Sequence, residues 1–339
     1  MLDVQRRALL ISLGIAALAL AAPFVVHPVL AMQILCFGLF AAAFNLLAGY
    51  LGLISFGHAA FFGAGAYVSG YAVKAWQFPT ELGILAGTAT AGILGILFGH
   101  LAVRRQGVYF AMITLALSQL VYFIFHQAPF TGGEDGMAGI PRGFLFGFIP
   151  LSNNLVMYAF VLAIVAAALA VIYRTVYSPF GTVLQAIRDN EPRAISLGYD
   201  VARFKLLAFT LSATLTGLAG ATKAIVFQFA SQSDILWSTS GTPVLASLIG
   251  GIGTLPGPVI GAAVMVMMEN LLAGLGEWVF FAQGAIFVLV VMFFRSGIYG
   301  EIVAYSEKRQ QRKPTPIAGV TGTNTSIAHE KNRVGSPVG

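Results

Sequence analysis

Among 339 residues, 58% are apolar and only 9% are charged, whereas a water-soluble domain carries about a quarter charged residues. The net charge of +6 does not mark a nucleic-acid binder, because the basic residues stand at the ends of long apolar runs, where membrane topology uses them. The one cysteine, Cys36, lies inside an apolar run and excludes a disulfide framework or a thiolate metal site within the chain.

Arg6 and Arg7 precede an apolar stretch that ends near Ala21-Ala22-Pro23. The pattern resembles a signal peptide, but the rest of the chain already commits to the membrane, which favours a retained first helix. A helical crossing takes about 20 mostly apolar residues. Candidate spans fall at roughly 8–27, 29–50, 53–73, 82–103, 107–128, 154–174, 205–228, 241–254, 256–274 and 277–294, and the eighth is short for a clean crossing. The expected fold is all-α, a polytopic membrane protein of about ten transmembrane helices.

Lys and Arg in the short connections set the orientation. With Arg6 and Arg7 in the cytoplasm, Arg104, Arg105, Arg174, Arg188, Arg193, Arg203, Lys205, Arg295 and the basic tail (Lys308, Arg309, Arg312, Lys313) also fall inside. Glu81, Glu134, Asp135, Asp234 and Glu277 fall outside, with only Lys74 and Arg142 as basic companions. Both termini are then cytoplasmic. The membrane domain occupies residues 1–304, and residues 305–339, polar from Ser306 onward, are expected to be a disordered cytoplasmic tail.

Two segments are rich in glycine. The first runs from Gly49 through Gly52, Ser55, Gly57 and His58 to Gly63 and Gly65. The second runs from Ile249 through Gly253, Pro256, Gly257 and Pro258 to Gly261. They lie at the third and eighth spans, an odd number of crossings apart, which reverses direction in the membrane. Interrupted segments at matching places in inverted halves point to a transport pathway, so an inverted repeat is expected. For most of these glycines close helix packing is the stronger reading, as the four-residue spacing of Gly253, Gly257 and Gly261 illustrates. Pro256 and Pro258 demand more than packing, because each removes a backbone donor and must break the helix.

The connection over about 175–204 is the most informative part of the chain. Ser178-Pro179 is a helix-start signal, and Val183, Leu184 and Ile187 follow on one face. Pro192 can begin a second short helix and Gly198 can close it. Two short amphipathic helices on the cytoplasmic side fit either a lipid-interface element or a docking element for a soluble partner.

Among individual residues, His58 can line a path or satisfy a helix-end carbonyl as a neutral imidazole, and the second reading is favoured. Lys223 and Glu269 are charged residues inside spans; Lys223 can snorkel outward, or the two can pair near an outer gate. Glu134 and Asp135, with Gly132, Gly133 and Gly136, form either a contact for an external partner or a turn. His27, His100 and His126 are scattered, so no metal site is expected, and no Ser/His/Asp set converges, so no catalytic residue is assigned. A phosphate-binding loop is missing from the sequence, so any ATP-derived energy must come from another chain. An ion-coupled transporter acting alone calls for coupling carboxylates near the bilayer midplane, where only Glu269 is a candidate, and it lies off centre.

Four segments together resemble one family. They are Asn45-Leu-Leu-Ala-Gly-Tyr-Leu-Gly-Leu-Ile-Ser-Phe-Gly-His58 continuing to Tyr67, Thr131-Gly-Gly-Glu-Asp-Gly136 through Gly139-Ile-Pro141, Gly250-Gly-Ile-Gly-Thr-Leu-Pro-Gly-Pro-Val-Ile-Gly261, and Phe294-Arg-Ser-Gly-Ile-Tyr-Gly300. In this order they are similar to the branched-chain amino-acid ABC transporter permeases, in particular the M-type (LivM-like) subunit. The resemblance implies a second homologous permease subunit, two ATP-binding cassette subunits that hold ATP and Mg, a periplasmic solute-binding protein, and a place in the bacterial inner membrane. It implies import of branched-chain or related amino acids by alternating access, with urea and amides as other cargoes of the family. It also assigns the 175–204 connection to ATPase coupling, through Ala186, Ile187, Arg188, Asp189, Glu191, Arg193, Ala194 and Gly198. Asn45, Ser55, His58, Tyr67, Lys223 and Glu269 are the candidates for the translocation path or gate. Gly57, Gly63, Gly65, Gly253, Pro256, Gly257, Pro258 and Gly261 are assigned to helix breaks and packing.

Overall fold

The computed structural model describes residues 23, 26–145, 147–293 and 297–301. Most of the expected first span, with Arg6 and Arg7, lies outside the described residues, as do Arg295 and the tail from 305 onward. The fold is all-α, with two minimal strand pairs at one end. Among the described residues, five helices are each long and apolar enough to cross a membrane: α1 (Pro28–Tyr50), α3 (Thr80–Ala102), α4 (Gly107–Gln127), α5 (Asn154–Val176) and α8 (Val201–Phe227). Shorter helices are α2 (His58–Lys74), α6 (Pro179–Asp189), α7 (Glu191–Ser196), α9 (Gly241–Gly250), α10 (Gly257–Leu272) and α11 (Val279–Phe293). The expected count of ten crossings rests partly on residues outside those described.

Local chemistry sets the helix starts. Pro28 and Pro179 sit in the first turns of α1 and α6, where a missing N–H costs nothing. The Asn153 side chain caps α5 by accepting from the Leu155 N–H, and Asp200 caps α8 by accepting from the Arg203 N–H.

Helices α1 and α8 form the centre of the bundle. Helix α8 packs against α1, α2 and α3, while α1 packs against α5, α9 and α10. In lipid, helices gain little from hiding apolar surface from one another, so close backbone contact has to hold them together. Small residues provide it. A Cβ on Gly220 of α8 would come within 1.9 Å of the Phe62 carbonyl oxygen on α2, and one on Gly65 of α2 within 2.4 Å of the Gly217 carbonyl oxygen on α8. Gly63 and Gly261 lie equally close to Ile235 and to the Ala246 carbonyl respectively.

Two crossings are broken. The third span was expected to be helical from residue 53, yet residues 52–57 are not helical and α2 starts only at His58. At the eighth, non-helical and 3-10 segments cover residues 228–240, and α9 supplies just 10 residues. At ~1.5 Å per residue, α9 reaches ~15 Å, half of a hydrocarbon core ~30 Å thick. Residues 251–256 then turn the chain into α10, with Pro256 at the cap and Pro258 in its first turn, as the prolines required.

The two ends of the bundle differ. One carries α6 and α7, hereafter the loop end. The other carries the strand pairs: Met137–Ala138 (β1) with Phe229–Ala230 (β4), and Phe144–Leu145 (β2) with Ile149–Pro150 (β3), both antiparallel. Gly220→Ala is expected to destabilise the detergent-solubilised protein by about 1–3 kcal/mol through overpacking. Gly284→Ala, at a position open to its surroundings, should leave the thermal midpoint unchanged. Equal midpoints for the two variants would contradict the close contact.

Candidate functional site

The two breaks meet near the middle of the bundle. Ser240, the residue before α9, accepts from the Ala59 N–H at 2.9 Å and donates to the Phe56 carbonyl at 2.8 Å. One hydroxyl therefore joins the start of α9 to the start of α2. The Phe56 N–H donates to Thr114 Oγ1 of α4 at 3.2 Å, and the Gly57 N–H to Ser55 Oγ at 3.1 Å. Non-helical backbone is tolerated at membrane depth only where protein or water satisfies it, and here serine and threonine hydroxyls do so.

His58 fixes the depth of this junction. Its Nε2 lies 2.9 Å from Ser212 Oγ, near the middle of α8, and Ser212 in turn donates to the Ala43 carbonyl of α1 at 2.6 Å. Because the Ser212 proton is committed to Ala43, the hydroxyl accepts from His58, so Nε2 carries a proton. Both Ser55 and His58 are fully buried, and the ring packs edge-on against Phe44 and Phe61. Tyr67 is buried too, against Phe125.

A second junction lies at the loop end. Asn45 accepts from the Gly253 N–H at 2.9 Å and donates to the Thr254 carbonyl at 2.8 Å, so one buried amide ties the end of α1 to the turn after α9. Arg188 of α6 donates through Nη1 to the Gly49 carbonyl at 2.6 Å. Gly297 backs the same turn: a Cβ there would come within 2.5 Å of Gly251 Cα. Three of the four sequence motifs thus converge at one place.

The predicted helix pair is present as α6 and α7, followed by Gly198 at φ +87°. Its eight candidate residues divide by direction. Ile187 and Ala194 are buried, and Glu191 pairs with the buried Lys205 of α8 at 2.5 Å. Ala186, Asp189, Arg193 and Gly198 face outward with the large apolar side chains of Ile195, Leu197 and Tyr199.

At the hairpin end, Lys223 pairs with Asp234, with Nζ 2.8 and 2.6 Å from the two carboxylate oxygens. This corrects the expected Lys223–Glu269 pair: Glu269 is exposed on α10, while the segment after α8 brings Asp234 back onto Lys223. The two side chains are only 12% and 10% exposed, so the pair is largely removed from water. The Asp234 carboxylate also accepts from the Ser231 N–H, and Gln232 bonds His126 of α4. Arg142 donates to Asn154 and to the Val226 carbonyl at the end of α8; burial lowers its pKa, though a guanidinium remains charged. Glu134 and Asp135 are exposed in a turn held by Gly132, Gly133 and Gly136, all at positive φ.

Sequence reasoning missed Ser212, Ser240 and Thr114, because single hydroxyls in apolar runs have no distinguishing pattern. Asp234 did have a signal: Ser231-x-x-Asp234 is a capping box, and both of its hydrogen bonds form.

Broken spans joined at mid-depth, with an amphipathic helix pair bound to one end, are features found in membrane transport proteins. Residues 29–294 match the family model described as the permease component of branched-chain amino acid transport systems. The chain belongs to that family. It is 27% identical to the high-affinity branched-chain amino acid permease protein LivM of Escherichia coli K12, over 87% of this chain and 75% of that protein. It is 26% identical to LivM of Salmonella typhimurium, over 75% of this chain and 65% of that protein, which bears out the M-type resemblance. LivH of the same organism is 25% identical over 78% of this chain and 91% of its own length. No solved structure matches the chain.

Asp234→Asn leaves Lys223 charged without its partner, and breaking a buried pair costs about 3–5 kcal/mol. A Lys223→Met/Asp234→Asn double variant should recover part of that loss. A fall in thermal midpoint for Glu269→Gln as large as that for Asp234→Asn would contradict the pairing.

Proposed function

We propose that the chain is one of two permease subunits of an ATP-driven importer that moves branched-chain amino acids inward across the bacterial inner membrane. The family match supports the transport class, and similarity to both LivM and LivH supports a second, homologous permease as partner. On this reading the loop end is cytoplasmic, with the N- and C-termini on the same side. Arg104, Arg105, Arg174, Arg193 and Arg203 support it, since positive residues stay inside.

The observation that carries the mechanism is the helix pair α6–α7. It is held to the bundle by its inner face and presents Ile195, with Leu197 and Tyr199 just beyond it, outward at 58, 68 and 42% exposure. An apolar surface there fits a groove on an ATPase subunit. Two ATP-binding cassettes, holding ATP and Mg, drive the loop, and a solute-binding protein delivers the amino acid to the hairpin end. The two broken spans are the elements that reorient during alternating access. The carboxyl-rich exposed turn at Glu134 and Asp135 lies where such a binding protein would dock.

In proteoliposomes containing both permeases and both cassettes, leucine uptake should require ATP on the cassette side and the binding protein on the other. Leucine movement by the permease pair without cassettes would contradict the reading. Leu197→Asp is expected to abolish co-purification of the cassettes while leaving the permease pair intact; undiminished co-purification would remove the docking role from this face.

A further inference from the structure

The coupling reading says that the loop moves the bundle but does not say through which contact. Beside the packing of Leu184, Ile187 and Ala194 and the stacking of Phe180 on Phe204 of α8, two polar side-chain contacts bind the loop to the transmembrane helices. Glu191 meets Lys205 near the start of α8, and Arg188 meets Gly49 at the end of α1. The first contact reaches a single continuous helix. The second reaches the place where the loop-end halves of both broken spans are tied together.

The geometry around Arg188 is specific. Its Nη1 bonds the Gly49 carbonyl at 2.6 Å, one of the last carbonyls of α1, which has no partner within the helix. The aliphatic stem crosses Gly52, the first residue after α1 and its cap, at φ +78°; a Cβ there would come within 2.8 Å of Arg188 Cγ. The guanidinium also passes the turn after α9, where a Cβ on Gly253 would lie 3.9 Å from Nη1. Gly253 is itself fixed to α1 by Asn45. One side chain from α6 therefore bonds the backbone that leads into the first break and lies beside the turn that closes the second. The other side of the guanidinium pairs with the exposed Asp189 at 3.2 Å, which holds its orientation from the loop.

We propose that Arg188 is the positioning residue that transmits displacement of the cytoplasmic loop to both broken spans at once. This inference rests on the coupling reading of α6–α7. A planar guanidinium suits the task, because it bonds a carbonyl while its stem packs on a glycine, and it keeps its charge throughout the cycle. Movement of α6 then shifts the Gly49–Gly52 backbone and, through Asn45 and Gly253, the base of α9 together. The two halves of the pathway thereby move in step, where a contact to α8 alone would move one helix.

The test uses the full complex in proteoliposomes, with leucine as cargo, and reads leucine transported per ATP hydrolysed. For Arg188→Gln the cassettes are expected to co-purify in wild-type amount, ATP hydrolysis to continue, and leucine per ATP to fall at least tenfold. Arg188→Lys, which keeps the cation and a donor, should recover part of the ratio. A merely structural role would lower the yield of complex and leave the ratio unchanged. A wild-type ratio in Arg188→Gln overturns the proposal. If Leu197→Asp at the same time loses the cassettes, the coupling reading stands without Arg188; if neither variant has an effect, the coupling reading falls as well. Should Arg188→Gln fail to assemble, Gly52→Ala displaces the arginine stem without removing its charge. The same tenfold loss of ratio is expected there, and a wild-type ratio in assembled Gly52→Ala complex overturns the proposal equally.

Discussion

Backbone polar groups released from a helix inside a membrane have no water to turn to, and this constraint organises the protein. Two crossings give up helical hydrogen bonds, and the freed groups are met by the hydroxyls of Ser55, Thr114 and Ser240. Ser240 does most, since it accepts from one segment, donates back to it, and belongs to the other. A hydroxyl can serve one donor and one acceptor at the same time, which lets a single small side chain link two interruptions. The break at α2 opens toward the loop end and that at α9 toward the hairpin end. Their opposite direction is what an inverted pair of broken helices would show.

Around this junction the bundle is held by contacts of different kinds. Gly220 on α8 and Gly65 on α2 bring the two backbones too close for any side chain, so α2 and α8 are fixed relative to one another. At the hairpin end, the buried Lys223–Asp234 pair pins the segment that leads down into α9. The loop end has a buried pair of its own, Lys205–Glu191, and beside it Asn45 and Arg188 make side-chain bonds to backbone.

Much of this was legible in sequence. Apolar runs placed the helices within a few residues, and Ser178-Pro179, Pro192 and Gly198 located the two short helices of the loop. What the pattern did not carry was how the breaks are completed. The run from Leu51 to Phe62 is apolar enough to read as helix from 53, and its non-helical start is decided by the distant Thr114 and Ser240. Charge pairing failed for the same reason. Lys223 and Glu269 are the clearest charges inside predicted spans, but Asp234 comes back in the chain after α8 and pairs with Lys223. Of the site residues that sequence singled out, Asn45, His58 and Arg188 join segments far apart in the chain, while Ser55 bonds within its own.

The account depends most on the Ser240 hydroxyl as the link between the two broken spans. Ser240→Ala removes it without adding bulk and leaves the Ala59 N–H and the Phe56 carbonyl without partners. Each buried orphan costs about 1–3 kcal/mol. Equilibrium unfolding of the purified protein in a mild detergent measures the effect directly. The account predicts a loss of at least about 2 kcal/mol for Ser240→Ala, and none for Ser233→Ala, whose side chain lies in the exposed turn before Asp234. Equal stability of Ser240→Ala and the unaltered protein would contradict it.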